Sequence, residues 1–211
     1  MRKLLRVVRP SGGIATLLGA RPRLQAIQGV VFTSGVSQGA GGVVGILFMT
    51  ERLGLGPREV GLVFTANVLT LVAASSWATR VSDRARDRAR VMLPGLCTMA
   101  ASAAAAPFCA TPEPYVALGV VAAIGNSFVM PNVSPFILDN VSEPERAQAL
   151  AVRNVCQDTG MLVGAGASGL LAHAVGVPSA MLAVAATQAT TTLFFAVRSG
   201  ALRPSEPPDK G

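Results

Sequence analysis

The chain has 211 residues, of which 51% are hydrophobic and only 14% charged, with a mean hydropathy of +0.50 and a net charge of +7. A soluble domain carries about 25% charged residues, so disorder, a collagen-like chain and a disulfide-stapled mini-protein are excluded. Three cysteines (Cys97, Cys109 and Cys156) are an odd number in a long chain and imply no disulfide framework.

Residues 1–23 are rich in arginine and hold no acidic residue. They read as a basic cytoplasmic segment before the first span, although an organellar transit peptide has the same composition. Leu4–Leu18 is a candidate for lying on the membrane surface. Leu24 to Thr50 then runs for 27 residues without a charge, long enough as a helix to exceed the ~30 Å hydrocarbon core. Val60–Thr79, Val91–Pro112 and Pro114–Leu138 give three more uncharged runs, of 20, 22 and 25 residues. After Asp158 no Lys, Arg, Asp or Glu occurs for 39 residues, until Arg198. Gly176 and Pro178 divide that stretch into a fifth span near 156–173 and a sixth near 178–197.

Soluble helices of such length show a charged face at helical spacing, and these runs do not. Strands of a membrane barrel would alternate in polarity over about ten residues, and these blocks do not. The chain is therefore expected to be an all-α membrane protein of six transmembrane helices at 24–197, with a cytoplasmic tail at 198–211. Sixteen of its eighteen Lys and Arg residues flank one side of the six runs, leaving Arg52 and Arg58 on the other. This asymmetry places both termini in the cytoplasm, or the equivalent compartment of an organelle. The sequence pI near 10.6 then reports topology, and no nucleic-acid partner is expected.

The turn after the second run reads Thr79-Arg-Val-Ser-Asp83-Arg84-Ala-Arg86-Asp87-Arg88. An aspartate ending a helix there can accept helix-end amides and pair with the alternating arginines. The turn resembles the signature of the major facilitator superfamily, Gly-x-x-x-Asp-Arg/Lys-x-Gly-Arg-Arg/Lys, which joins the second and third helices of a six-helix half. Asp83 and Arg84 match. Thr79 and Arg86 replace the two glycines, and Asp87 stands where a basic residue is expected. Asp83, Arg84, Arg86 and Arg88 are the candidate loop-signature residues. Upstream, Leu53-Gly-Leu-Gly-Pro57-Arg-Glu59-Val-Gly61 is similar to the family's outer-loop pattern. Pro57 suits a first helical turn, and Glu59 suits the positive end of the helix. Gly160, Gly164 and Gly169 put small residues on one helix face for close packing. They resemble the family's Gly-x-x-x-Gly-Pro-x-x-Gly-Gly pattern, with Ala165 in place of proline.

The resemblance implies a transporter of small solutes built from two such bundles around a central site. Six spans supply one bundle, so the chain is expected to be a half, on balance the C-terminal one, or to pair with a second copy. The expected partners are the lipid bilayer, an unidentified small molecule and that second half. Gln38, Asn67, Asn126, Asn132 and Asp158 are candidate cavity or coupling residues. A buried amide needs a partner, and a carboxylate inside a span is expensive. Asp158 reads more simply as an interfacial carboxylate paired with Arg153 or with a loop arginine. Pro131 and Pro135 predict a helix break beside Asn126 and Asn132, and Trp77 reads as an interfacial anchor. A single histidine, no Cys-x-x-Cys and no phosphate loop leave nothing for an enzyme to use, and no cofactor or metal is expected. The competing expectation is a non-transport membrane scaffold or regulatory partner. A transporter should gather Gln38, Asn126 and Asn132 on one watery surface, whereas a scaffold should not.

Overall fold

The computed structural model describes residues 22–85 and 87–199. The basic segment, Arg86 and the tail from residue 200 onward lie outside the described residues, along with the expectations placed on them. Every regular element among the described residues is helical. Helix α1 (Pro22–Ala40) continues through two π-helical turns, Gly41–Gly45 and Phe48–Arg52, as one rod of 30 residues from Arg23. It is followed by α2 (Pro57–Arg84), α3 (Arg88–Ala105) with a 3-10 turn at Ala106–Phe108, and α4 (Pro112–Asp139). A 3-10 turn at Glu143–Glu145 leads into α5 (Arg146–Val175), and α6 (Val177–Arg198) completes the bundle.

The helix ends follow from local chemistry. Pro57 opens α2 without wasting a donor, and Glu59 Oε2 reaches back to accept from the Gly56 N–H at 2.7 Å. Asp87 caps α3 by accepting from Ala89 N at 3.1 Å. Ahead of α5, both the N–H and the hydroxyl of Ser142 donate to Glu145 Oε2, at 3.1 and 2.6 Å. Gly176 alone joins α5 to α6. Its φ of +87° turns the chain, while its N–H closes α5 on Ala172 O at 3.0 Å and its carbonyl accepts from Ala180 N at 3.2 Å.

Five rods are long and apolar enough to cross a membrane: Arg23–Arg52, α2, Arg88–Phe108, α4 and α6. Helix α5 has the length, at 30 residues, but Gln157, Asp158, His173 and its glycines dilute its hydropathy. Packing holds it in the sixth place. It lies along α1, α1 packs on α6, α6 on α3, α3 on α4, and α4 on α2. Phe136 of α4 and Phe195 of α6 meet at 6.1 Å within the apolar core.

The α1–α5 contact is made backbone to backbone. A Cβ on Gly164 would lie 2.7 Å from Val36 Cα, and one on Gly39 would lie 2.8 Å from Ala165 N. Gly160 sits as tightly against the Phe32 carbonyl, and Gly35 against that of Gln157. Gly169, beyond the crossing, meets only the Val43 side chain at an ordinary 3.6 Å.

One expectation is corrected. Helix α4 runs unbroken through Pro131 and Pro135. Side chains bond to carbonyls around the prolines: Asn132 Nδ2 donates to Phe128 O at 2.8 Å, and Ser127 Oγ donates to Ile124 O at 2.6 Å. The carbonyls that the prolines free are those of Ser127 and Pro131, and a membrane helix carries proline where neighbouring helices enclose it, as α2 and α3 enclose α4.

The tight crossing generates a paired prediction. Gly164→Val forces a side chain into the Val36 backbone and should destabilise the bundle by about 1–3 kcal/mol. Gly166→Val, where a Cβ meets nothing within 4 Å, should be near neutral. Detergent-solubilised unfolding curves check both, and equal stability of the two variants would refute the crossing.

Candidate functional site

Two polar constructions stand at opposite ends of the bundle. At the arginine-rich end, α2 stops with Ser82, Asp83 and Arg84, and α3 starts with Arg88. Arg88 Nε donates to Asp139 Oδ2 at 3.2 Å, and its NH1 lies 3.6 Å from Asp83 Oδ1. The same NH1 donates to Asn132 Oδ1 at 3.3 Å, and Ser82 Oγ shares that oxygen as a second donor. Arg88 at a helix N-terminus and Asp139 at a helix C-terminus each oppose the local dipole. Facing one another, they offset it. Asp83 and Asp139 are exposed, so their ion pairs are individually weak. The buried Asn132 makes the junction specific, because its oxygen would otherwise face an apolar core.

Of the loop-signature candidates, Asp83 and Arg88 come together. Arg84 is exposed at the end of α2, and Arg86 lies outside the described residues. Sequence reasoning missed Asp139, 51 positions from Arg88. Its one visible signal was a carboxylate ending an otherwise uncharged run.

At the opposite end a cavity of about 290 Å³ opens between α1, α2, α3, α4 and α6. Gly41, Gly45, Gly119 and Ala122 make the room by being small. The π-helical turn Gly41–Gly45 shapes the α1 wall, and such turns recur at functional sites. Met99, Met181 and Phe64 supply soft apolar surface. The polar lining is Ser37, Asn67, Ser102, Tyr115 and Gln188. Ser37 Oγ donates to Gln188 Oε1 at 2.5 Å, one helical turn along from the 2.7 Å contact of Thr33 and Thr191. Asn67 lies against Gly119, and its buried Oδ1 has no partner among the described residues. The Tyr115 ring packs on Phe48 at 5.3 Å. Among the described residues, no Lys, Arg, Asp, Glu or His lines the cavity. Between α3 and α4, partial burial pushes the Cys109 thiol above its ordinary value, away from a reactive thiolate.

Of the amide candidates, Asn67 lines this cavity, joined by Gln188. Gln38 is exposed on α1, Asn126 is half-buried with an unpartnered Oδ1, and Asn132 is held at the arginine-rich end. The single watery surface expected for Gln38, Asn126 and Asn132 is therefore not formed. Asp158 is exposed on α5 with no ion pair to Arg153, whose NH1 donates to Asn154 Oδ1 at 3.1 Å. Trp77 is exposed on α2 with its ring edge-on to Phe128 at 5.3 Å. Ser37, Ser102 and Tyr115 were missed. Hydroxyls within apolar runs look the same in sequence whether they bond their own helix or face a void.

The Major Facilitator Superfamily model matches residues 29–211. No curated protein matches the chain.

The arginine junction yields a testable contrast. Arg88→Ala leaves Asn132 and two carboxylates without their cation and should cost about 1–2 kcal/mol. Arg84→Ala should stay within about 0.5 kcal/mol. Thermal unfolding in detergent compares them, and indistinguishable midpoints would remove the junction as a structural tie.

Proposed function

The chain belongs to the major facilitator superfamily, an integral multi-pass membrane protein with transport as its general function, and we propose that it carries a small solute through the cavity between α1, α2, α3, α4 and α6. In this reading it works as a secondary transporter, pairing with a second six-helix half or with a second copy of itself. The observation that carries the reading is the cavity. A bundle that buries small residues this tightly elsewhere keeps about 290 Å³ open at one end, beside a buried amide oxygen that lacks a partner. Such a void lined by a few convergent polar groups is the default form of a small-molecule site. The arginine distribution supports placing both termini on the cytoplasmic side and the cavity toward the other.

A non-transport scaffold is the second reading. The separation of Gln38, Asn126 and Asn132 favours it, because amides that line one pathway would face one surface.

Counterflow in proteoliposomes separates the two. A panel of radiolabelled neutral, cationic and anionic solutes should include at least one that exchanges saturably and only with the protein present. Asp158→Asn should leave any proton dependence unchanged, since Asp158 lies outside the cavity lining. A folded chain that exchanges no solute, alone or as a cross-linked pair, would favour the scaffold.

A further inference from the structure

The chemistry of the cavity wall narrows what it can hold. A charged ligand there would find no charged partner, because the lining contains no carboxylate, ammonium, guanidinium or imidazole among the described residues. An ion stripped of water without a counter-charge is strongly disfavoured. A polyol needs a partner for each hydroxyl, yet the polar lining is five side chains, Ser37, Asn67, Ser102, Tyr115 and Gln188, and two of them engage each other at 2.5 Å. Most of the wall is apolar, with Val44, Met49, Phe64, Met99 and Met181 in it. The Asn67 carboxamide, held beside Gly119, is among its few polar groups. The volume lies at the low end of the ~300–1,000 Å³ usual for small-molecule sites.

We infer that this cavity binds a small, neutral, largely apolar molecule carrying one hydroxyl, such as an aromatic alcohol, and excludes ions and polyols. The ring of such a molecule lies among the methionines and Phe64, and its hydroxyl bonds the Asn67 carboxamide. This inference rests on reading the cavity as the solute site, but it is a statement about binding and holds whether or not the chain transports.

The two adjacent glycines of the π turn supply a matched test. At both Gly41 and Gly42 an added Cβ meets nothing within 4 Å, yet only Gly41 lines the cavity. Leucine at Gly41 starts from the cavity wall with its Cβ unobstructed, and leucine at Gly42 starts as freely from a residue outside the lining. The full chain in lipid nanodiscs is dialysed to equilibrium against 1-naphthol, naphthalene, 1-naphthoate and glucose, with protein-free nanodiscs as the blank. Saturable binding of 1-naphthol is expected, while glucose and 1-naphthoate should neither bind saturably nor displace it. Gly41→Leu should weaken binding by at least about tenfold and Gly42→Leu should leave it unchanged, as befits a filled site against an untouched one. Asn67→Leu should weaken 1-naphthol by about tenfold, the value of one buried hydrogen bond, and leave naphthalene unaffected. Absence of saturable 1-naphthol binding overturns the inference. So does binding of 1-naphthoate as tight as that of 1-naphthol, or equal effects of the two leucines. A chain that binds 1-naphthol but exchanges nothing in proteoliposomes sinks the transport reading and leaves this one standing. A chain whose exchanged solute is a sugar or an ion does the reverse.

Discussion

Between helices in hydrocarbon there is no water to release, so apolar surface alone does not draw them together. Contact has to be won by close approach, and in this bundle the closest approach is α1 on α5. Gly35 and Gly39 lie against the α5 backbone, while Gly160 and Gly164 lie against the carbonyls of Phe32 and Val36. Each helix supplies both the groove and the ridge, so neither can slide without driving a carbonyl into a Cα. The remaining order hangs from α1. Thr33 and Ser37 hold α6 through Thr191 and Gln188, α6 covers α3, and α4 bridges α3 to α2. This also explains how α5, too rich in glycine and polar residues to stand out by hydropathy, is a full member of the bundle.

The two ends of the bundle are built on different terms. At the arginine-rich end, α2 and α3 scarcely touch along their lengths, and the tie between them is polar. Ser82 and Asp83 from α2, Arg88 from α3, and Asn132 and Asp139 from α4 converge there. At the other end the same helices part around a void edged by small residues and a π turn. A closed polar junction at one end and an apolar gap at the other divide the bundle into a tied end and an open one. Backbone crossings and charge forks are stiff, whereas methionine side chains and a glycine-rich π turn can adjust.

Uncharged runs and glycine spacing made the six helices and the small face of α5 legible, since length, charge and spacing are local properties of the chain; that α1 is what covers this face was not. The turn from Asp83 to Arg88 was legible as a cluster of charges. Its true partner, Asp139, was not, because only the antiparallel return of α4 places it beside Arg88. Pro131 and Pro135 misled. Their cost was visible, but the enclosure of α4 between α2 and α3 was not. Asp158 misled in the opposite sense. Five positions from Arg153 along a helix suggested a pair, but five residues turn about 140° past alignment, outside the favourable spacing of three or four. The cavity was the least legible feature, since it is made by side chains that are missing.

The contrast between Gly164 and Gly41 shows why sequence could not tell packing from space. Both are glycines in apolar helices with small neighbours, and either could be taken for a contact point. Gly164 faces Val36 backbone, so its missing side chain is replaced by another helix. Gly41 lies beyond the crossing, where α1 has changed to π-helical winding, and nothing comes within 4 Å of its missing Cβ. Position around the helix decides the difference. Gly41 stands two residues past Gly39, about 200° round at 3.6 residues per turn, so it faces away from α5 and toward the cavity. A glycine aimed at another backbone closes a contact, and one aimed at a gap widens it. The direction in which each glycine of α1 faces therefore decides where this bundle is solid and where it is open.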